Sequence, residues 1–169
     1  LIIEPACLNF PGFDFELCVR QIGTLNAGNG KVPGSEFYYA STHLQVAGLM
    51  AIKALKYASW QDLFSAFQTE TGLLTNSTYD LPSAGNPRLA GGMHWTGEEY
   101  MAFLKSFSQG MLLPTALQAE ALKNQTASAV MQYSPVFEAL GEDWRYGYGL
   151  WHECKSPVFN CKPGVRISS

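Results

Sequence analysis

Tyr39 and Ser41 stand two residues apart, just ahead of an apolar run from Leu44 to Leu55 that is predicted to be helical. A Pro33-Gly34 turn and the aromatic segment Phe37-Tyr38-Tyr39 lead into them. A phenol and a hydroxyl at a helix entrance lie where unpaired backbone N–H groups favour negative charge. A tyrosine so placed loses its proton more readily than in water and can serve as a base. The same residues have a plainer reading, in which Tyr38 and Tyr39 alternate between core and solvent along a strand.

The elements that would position this pair follow from caps and periodicity. Residues 1–13 read as an irregular entry segment. Asp14 is placed to cap a helix carrying Phe15, Cys18, Val19 and Ile22 at helical spacing, with Gly23 expected to close it and 23–34 expected to be loop. The run after Ser41 is apolar on almost every side and is expected to be a central rather than a superficial helix. Ser59-Trp60-Gln61-Asp62 and Thr96-Gly97-Glu98-Glu99 read as helix-starting boxes, with stops at Gly72 and Gly110. Thr115 is expected to cap a further helix to about Lys123, with Leu117, Ala121 and Leu122 inward. Residues 73–92 and 124–143 read as loops, and strand character appears only from Tyr146 to His152. A self-contained all-α domain is the competing architecture.

Three stretches, taken in order, carry a resemblance. Pro33-Gly34-Ser35-Glu36-Phe37-Tyr38-Tyr39-Ala40-Ser41, followed by a helix containing Ala47-Gly48, resembles the second motif of the serine β-lactamase and penicillin-binding-protein superfamily. The branch it looks most like is that of class C β-lactamases, their esterase relatives and D-aminopeptidase-like hydrolases. Ala90 to Glu99 resembles the Gly-Gly segment that opens a helix in that family, and Tyr146-Gly147-Tyr148-Gly149-Leu150-Trp151 resembles its Tyr-Gly-Leu-Gly-aromatic strand. The resemblance implies an α+β fold, predominantly helical: the helical region of a β-lactamase/transpeptidase-like fold with a short strand near the C-terminus. Residues 1–169 would form a single domain or fragment of it. It further implies acyl-enzyme chemistry on a small peptide, amide or ester substrate. Tyr39 would act as proton relay, Ser41 would orient the substrate or a lysine, and Phe37 and Trp95 would be cleft residues.

The departures bear on activity. No serine here has a lysine three positions on, and neither Lys-Thr-Gly nor His-x-Gly occurs; Lys162-Pro163-Gly164 lacks the hydroxyl. The chain is therefore expected to be the middle of a larger hydrolase or a processed piece, inactive alone, with complementary chain fragments or self-association as partners. A non-catalytic extracellular module of the same fold is the alternative.

Composition bounds the rest. Hydrophobic residues make up 47% and charged residues 15%, which suits a packed chain rather than a disordered one. A net charge of −3 without a Lys/Arg cluster gives no reason to expect nucleic acid, and Lys53 interrupts an apolar run too short to span a bilayer. His43, His94 and His152 show no ligand spacing, so no metal and no cofactor are expected. Four cysteines permit three pairings; local pairing, Cys7 with Cys18 and Cys154 with Cys161, is the expectation. Asn76-Ser77-Thr78 and Asn124-Gln125-Thr126 are glycosylation acceptors, which with the even cysteine count point to a secreted, extracellular protein.

Overall fold

The computed structural model describes residues 2–28, 30–79 and 85–153, and the backbone of 165–166. In chain order the elements begin with a 3-10 turn (Ala6–Asn9), α1 (Phe15–Asn26), β1 (Glu36–Tyr38), α2 (Thr42–Leu55), α3 (Trp60–Thr71), β2 (Thr78–Tyr79), β3 (Met93–His94) and α4 (Gly97–Ser108). They continue with α5 (Thr115–Ala121), β4 (Val130–Tyr133), α6 (Pro135–Leu140), β5 (Arg145–Tyr146), β6 (Trp151–His152) and β7 (Val165–Arg166). The chain is thus mostly helical with short strands. It divides into two compact units: a helical unit of Ile2–Ala27 with Ala40–Leu112, and a strand unit of Gly28–Tyr39 with the described residues from Leu113 onward.

In the helical unit, local chemistry sets the helix ends. The Asp14 carboxylate accepts the Leu17 N–H at 2.8 Å, and the Ser59 hydroxyl accepts the Asp62 N–H at 3.1 Å. Thr96 and Glu99 form a reciprocal capping box, and Gly72 closes α3 in the left-handed region. α1 overruns its expected stop and continues through Gly23 to Asn26. A glycine inside a helix costs about 1 kcal/mol against alanine; beyond it the Asn26 side chain ties the helix end to Ile3, its Oδ1 accepting the Ile3 N–H and its Nδ2 donating to the Ile3 carbonyl, both at 2.9 Å.

The disulfide expected between Cys7 and Cys18 is formed, with the Cα atoms 5.6 Å apart. It joins the 3-10 turn to α1 within a cluster of Cys7, Leu8, Cys18 and Ile22. Opening this 11-residue separation is expected to cost about 3 kcal/mol through the entropy restored to the unfolded chain. A Cys7→Ala/Cys18→Ala double variant should therefore unfold at a lower urea midpoint, with a slope no shallower because the released unfolded chain is more open; an unshifted midpoint would show the bridge to be energetically idle. Cys154 and Cys161 lie outside the described residues.

α2 departs from expectation. Only Thr42, Gln45, Gly48 and Ile52 are buried, whereas Met50 and Leu55 are 67% and 63% exposed. It packs on one face, against α1 and α3, rather than running centrally. Two stretches read as loops also hold structure. Residues 73–92 contain β2, paired antiparallel with β3, and bury Leu74 and Tyr79 against Phe64. Residues 124–143 contain β4 and α6, whose Ser134 hydroxyl accepts the Phe137 N–H at 3.3 Å. Thr115 is the first residue of α5 and not its cap, the helix ends at Ala121, and Leu117 faces outward at 56% exposure.

In the strand unit β1 and β4 pair in parallel, Glu36 opposite Val130 and Phe37 opposite Met131. β5, β6 and β7 form an antiparallel sheet. The single strand expected over Tyr146 to His152 is a hairpin: Gly149 takes φ +76°, and the Gly147 N–H donates to the Leu150 carbonyl at 2.8 Å. Gly147 has a separate reason to lack a side chain, since a Cβ there would lie 2.8 Å from the Lys123 carbonyl oxygen and 3.3 Å from that of Ala121.

Candidate functional site

The motif pair is distributed between the two units. Tyr39 ends a segment of the strand unit, and Ser41 is the second residue of the Ala40–Leu112 segment of the helical one. Alternation along β1 puts Phe37 and Tyr39 on one face and Tyr38 on the other, where its ring meets that of Tyr133 at 5.1 Å. The Tyr39 N–H extends the ladder to the Tyr133 carbonyl at 3.1 Å. Its half-buried ring lies 5.3 Å from Trp151 and 5.8 Å from Tyr146. Phe37 joins the same cluster, 5.3 Å from Tyr146 and 6.4 Å from Trp151. Burial pushes the Tyr146 phenol up to about 12, and negative charge on Tyr39 would push it in the same direction.

Ser41 occupies the N-cap position of α2 without using its hydroxyl as a cap. Its N–H instead donates to the Glu4 carboxylate, a favourable place for negative charge at a helix start. Ser41 lines a cavity of about 300 Å³ with Glu4, Leu8, Asn9, Gln45, Arg88 and Gly91 among its neighbours. The lining brings together a carboxylate, a guanidinium, a hydroxyl and two side-chain amides, which suits a small polar ligand.

The segment Ala90 to Glu99 has three structural jobs. Ala90 and Gly91 line the cavity, Gly92 turns back with its N–H on the Arg88 carbonyl at 2.7 Å, and Thr96 with Glu99 starts α4. Trp95 stacks on Tyr100 at 4.2 Å within the core built on Phe64 and Tyr79. Asn76 is exposed, and its N–H donates to Glu99 at 2.7 Å; that bond is the first reason the Glu99 carboxyl is held below its ordinary range. Asn124 is half-buried, with its Oδ1 accepting from the Thr126 N–H at 3.0 Å. No group of three or more His, Cys, Asp or Glu residues able to hold a metal occurs among the described residues. Within the same limits, no helix is long and apolar enough to cross a membrane.

Sequence reasoning missed Glu4, Gln45, Asn86 and Arg88. A signal existed for Gln45. It is the polar member of the buried stripe Gln45, Gly48 and Ile52, which repeats at helical spacing. Glu4, Asn86 and Arg88 lie in irregular segments and carry no local signal.

No family model and no curated protein matches the chain. Among solved structures, a "putative beta-lactamase" from Bacteroides dorei DSM 17855 superposes with a TM-score of 0.63 at 25% sequence identity. The match covers 85% of this chain and 46% of that one, so the chain spans about half the length of its structural neighbour. The fold is β-lactamase-like, of the predominantly helical α+β kind.

Proposed function

We propose that this chain is the central segment of a secreted β-lactamase-like serine hydrolase acting on amide or ester substrates through an acyl-enzyme. The observation that carries the reading is the structural match at 25% identity over 85% of the chain, taken with the three motif stretches in their order. The nucleophilic Ser-x-x-Lys and the Lys-Thr-Gly or His-x-Gly motif come, on this reading, from residues outside the 169. The incoming serine Oγ attacks the carbonyl carbon and gives up its proton to the Tyr39 oxygen; that proton then passes to the leaving amine or alcohol, and water releases the acyl group. Tyr39 is given the relay role because it holds the motif position two residues before Ser41; Tyr146 packs against its ring at 5.8 Å. Ser41 offers its hydroxyl to the substrate, as one donor. Phe37 and Trp95 pack within separate aromatic clusters, one in each unit, and Asn76 and Asn124 carry glycans in the extracellular protein.

Terminal sequencing and an acylating probe test this together. Native material treated with a fluorophosphonate or a penicillin should be labelled on a serine of a Ser-x-x-Lys outside residues 1–169, and the 169-residue chain by itself should remain unlabelled. Label on Ser41 would overturn the division of roles. Native material with no Ser-x-x-Lys and no label would leave the non-catalytic module as the reading.

A further inference from the structure

We infer that Gln45 and Asn86 form a buried amide pair that positions the walls of the Ser41 cavity. The inference deepens the hydrolase reading only in assigning the cavity to substrate; the positioning itself is measurable without activity. Gln45 is 1% exposed and Asn86 0%. The Gln45 side-chain nitrogen donates to the Asn86 Oδ1 and the Pro87 carbonyl, both at 2.8 Å, and its Oε1 accepts the Leu89 N–H at 3.3 Å. The Asn86 side-chain nitrogen donates to the Cys7 carbonyl at 2.8 Å and the Phe10 carbonyl at 3.2 Å.

Each arm of the pair reaches a different wall of the cavity. Gln45 lies one helical turn beyond Ser41 on α2 and is itself part of the lining. Pro87 and Leu89 flank Arg88, and the same loop supplies Ala90 and Gly91. Cys7 and Phe10 bracket Leu8 and Asn9 in the disulfide-tied turn. Gly48, one turn after Gln45, leaves room for the loop to dock: a Cβ there would lie 2.1 Å from the Leu89 Cδ1.

Packing alone does not call for this arrangement. Apolar residues there would spare the desolvation of two amides but would strip these bonds from the Leu89 N–H and the Pro87, Cys7 and Phe10 carbonyls. Hydrogen bonds, by contrast, fix both distance and direction, and every donor and acceptor satisfied locks three segments in one register. The chemistry therefore fits registration of the cavity better than bulk stability.

The test compares Gln45→Met with Ile52→Val, a purely apolar trim on the same buried stripe of α2. Methionine keeps the length and volume but removes all three bonds. Amide hydrogen exchange at Leu89 should accelerate about 10-fold beyond the change shown by α3 amides. The Ser41, Asn9 and Gly91 amide resonances should move, while Ile52→Val leaves them in place. Should Gln45→Met not fold, Asn86→Ser, which keeps an oxygen toward Gln45, is expected to shift the Leu8 and Asn9 amides alone. If either variant lowers the melting temperature without local exchange or cavity shifts, the pair is a packing feature and the inference is overturned. That outcome would leave the hydrolase proposal standing, whereas absent probe labelling would leave the positioning standing.

Discussion

Tyr39→Phe is expected to lower acylation by the native hydrolase about 10²- to 10⁴-fold, the usual contribution of a positioned general base, while leaving stability nearly unchanged. Phenylalanine retains the ring, and the ring is what meets Trp151 and Tyr146 at 5.3 and 5.8 Å. It removes only the oxygen. The substitution thus separates the two meanings of this tyrosine, because a packing residue loses little in either measurement and a relay loses rate alone. Pre-steady-state acylation of a chromogenic ester or β-lactam, run beside a urea melt, reads both quantities. Full acylation in Tyr39→Phe with an unshifted midpoint would remove Tyr39 from the chemistry. An equal fall in rate and stability would mean that the phenol oxygen supports the fold itself rather than the proton transfer.

The features legible in the sequence are those whose cause is local. Asp14, Ser59 and Thr96 announce their helices because a cap is a bond between near neighbours. The Cys7–Cys18 bridge was readable because short separations close readily. What escaped depends on distant partners. β2 needs β3, fourteen or more residues on, and β4 needs β1, nearly a hundred residues earlier; neither two- to four-residue strand carries enough alternation to declare itself. The same holds at the candidate site. Ser41 lies in a contiguous motif, but Glu4 and Arg88 reach the cavity, and Asn86 backs its walls, from segments with no period at all. α2 shows the converse, since an apolar composition all round does not require burial all round, and Met50 and Leu55 remain open.

Trp151→Ala should be the most destabilising single substitution in the strand unit, by about 3–5 kcal/mol. Trp151 is 2% exposed and sits opposite Tyr146 across the β5–β6 hairpin, their rings 4.8 Å apart at a steep angle. It also meets Phe37 and Tyr39, so truncation opens a cavity lined by three aromatic rings at once. Trp151→Phe, which keeps part of the volume, should cost less than half as much. A second readout ties the loss to this cluster. Burial raises Tyr146 to about 12, so the neutral phenol stabilises the fold fully below the ordinary tyrosine value near 10, and that stability drains away as pH rises towards 12. Opening the cluster admits water to Tyr146, which should bring its titration, followed residue by residue through the tyrosine ring carbon resonances, down towards 10 in Trp151→Ala. Tyr79, raised to about 12 by burial in the helical unit, should not move and serves as the internal standard. An unchanged Tyr146 titration beside a large loss of stability would mean that the ring stays buried in the native state, the void closing by repacking rather than by admitting water.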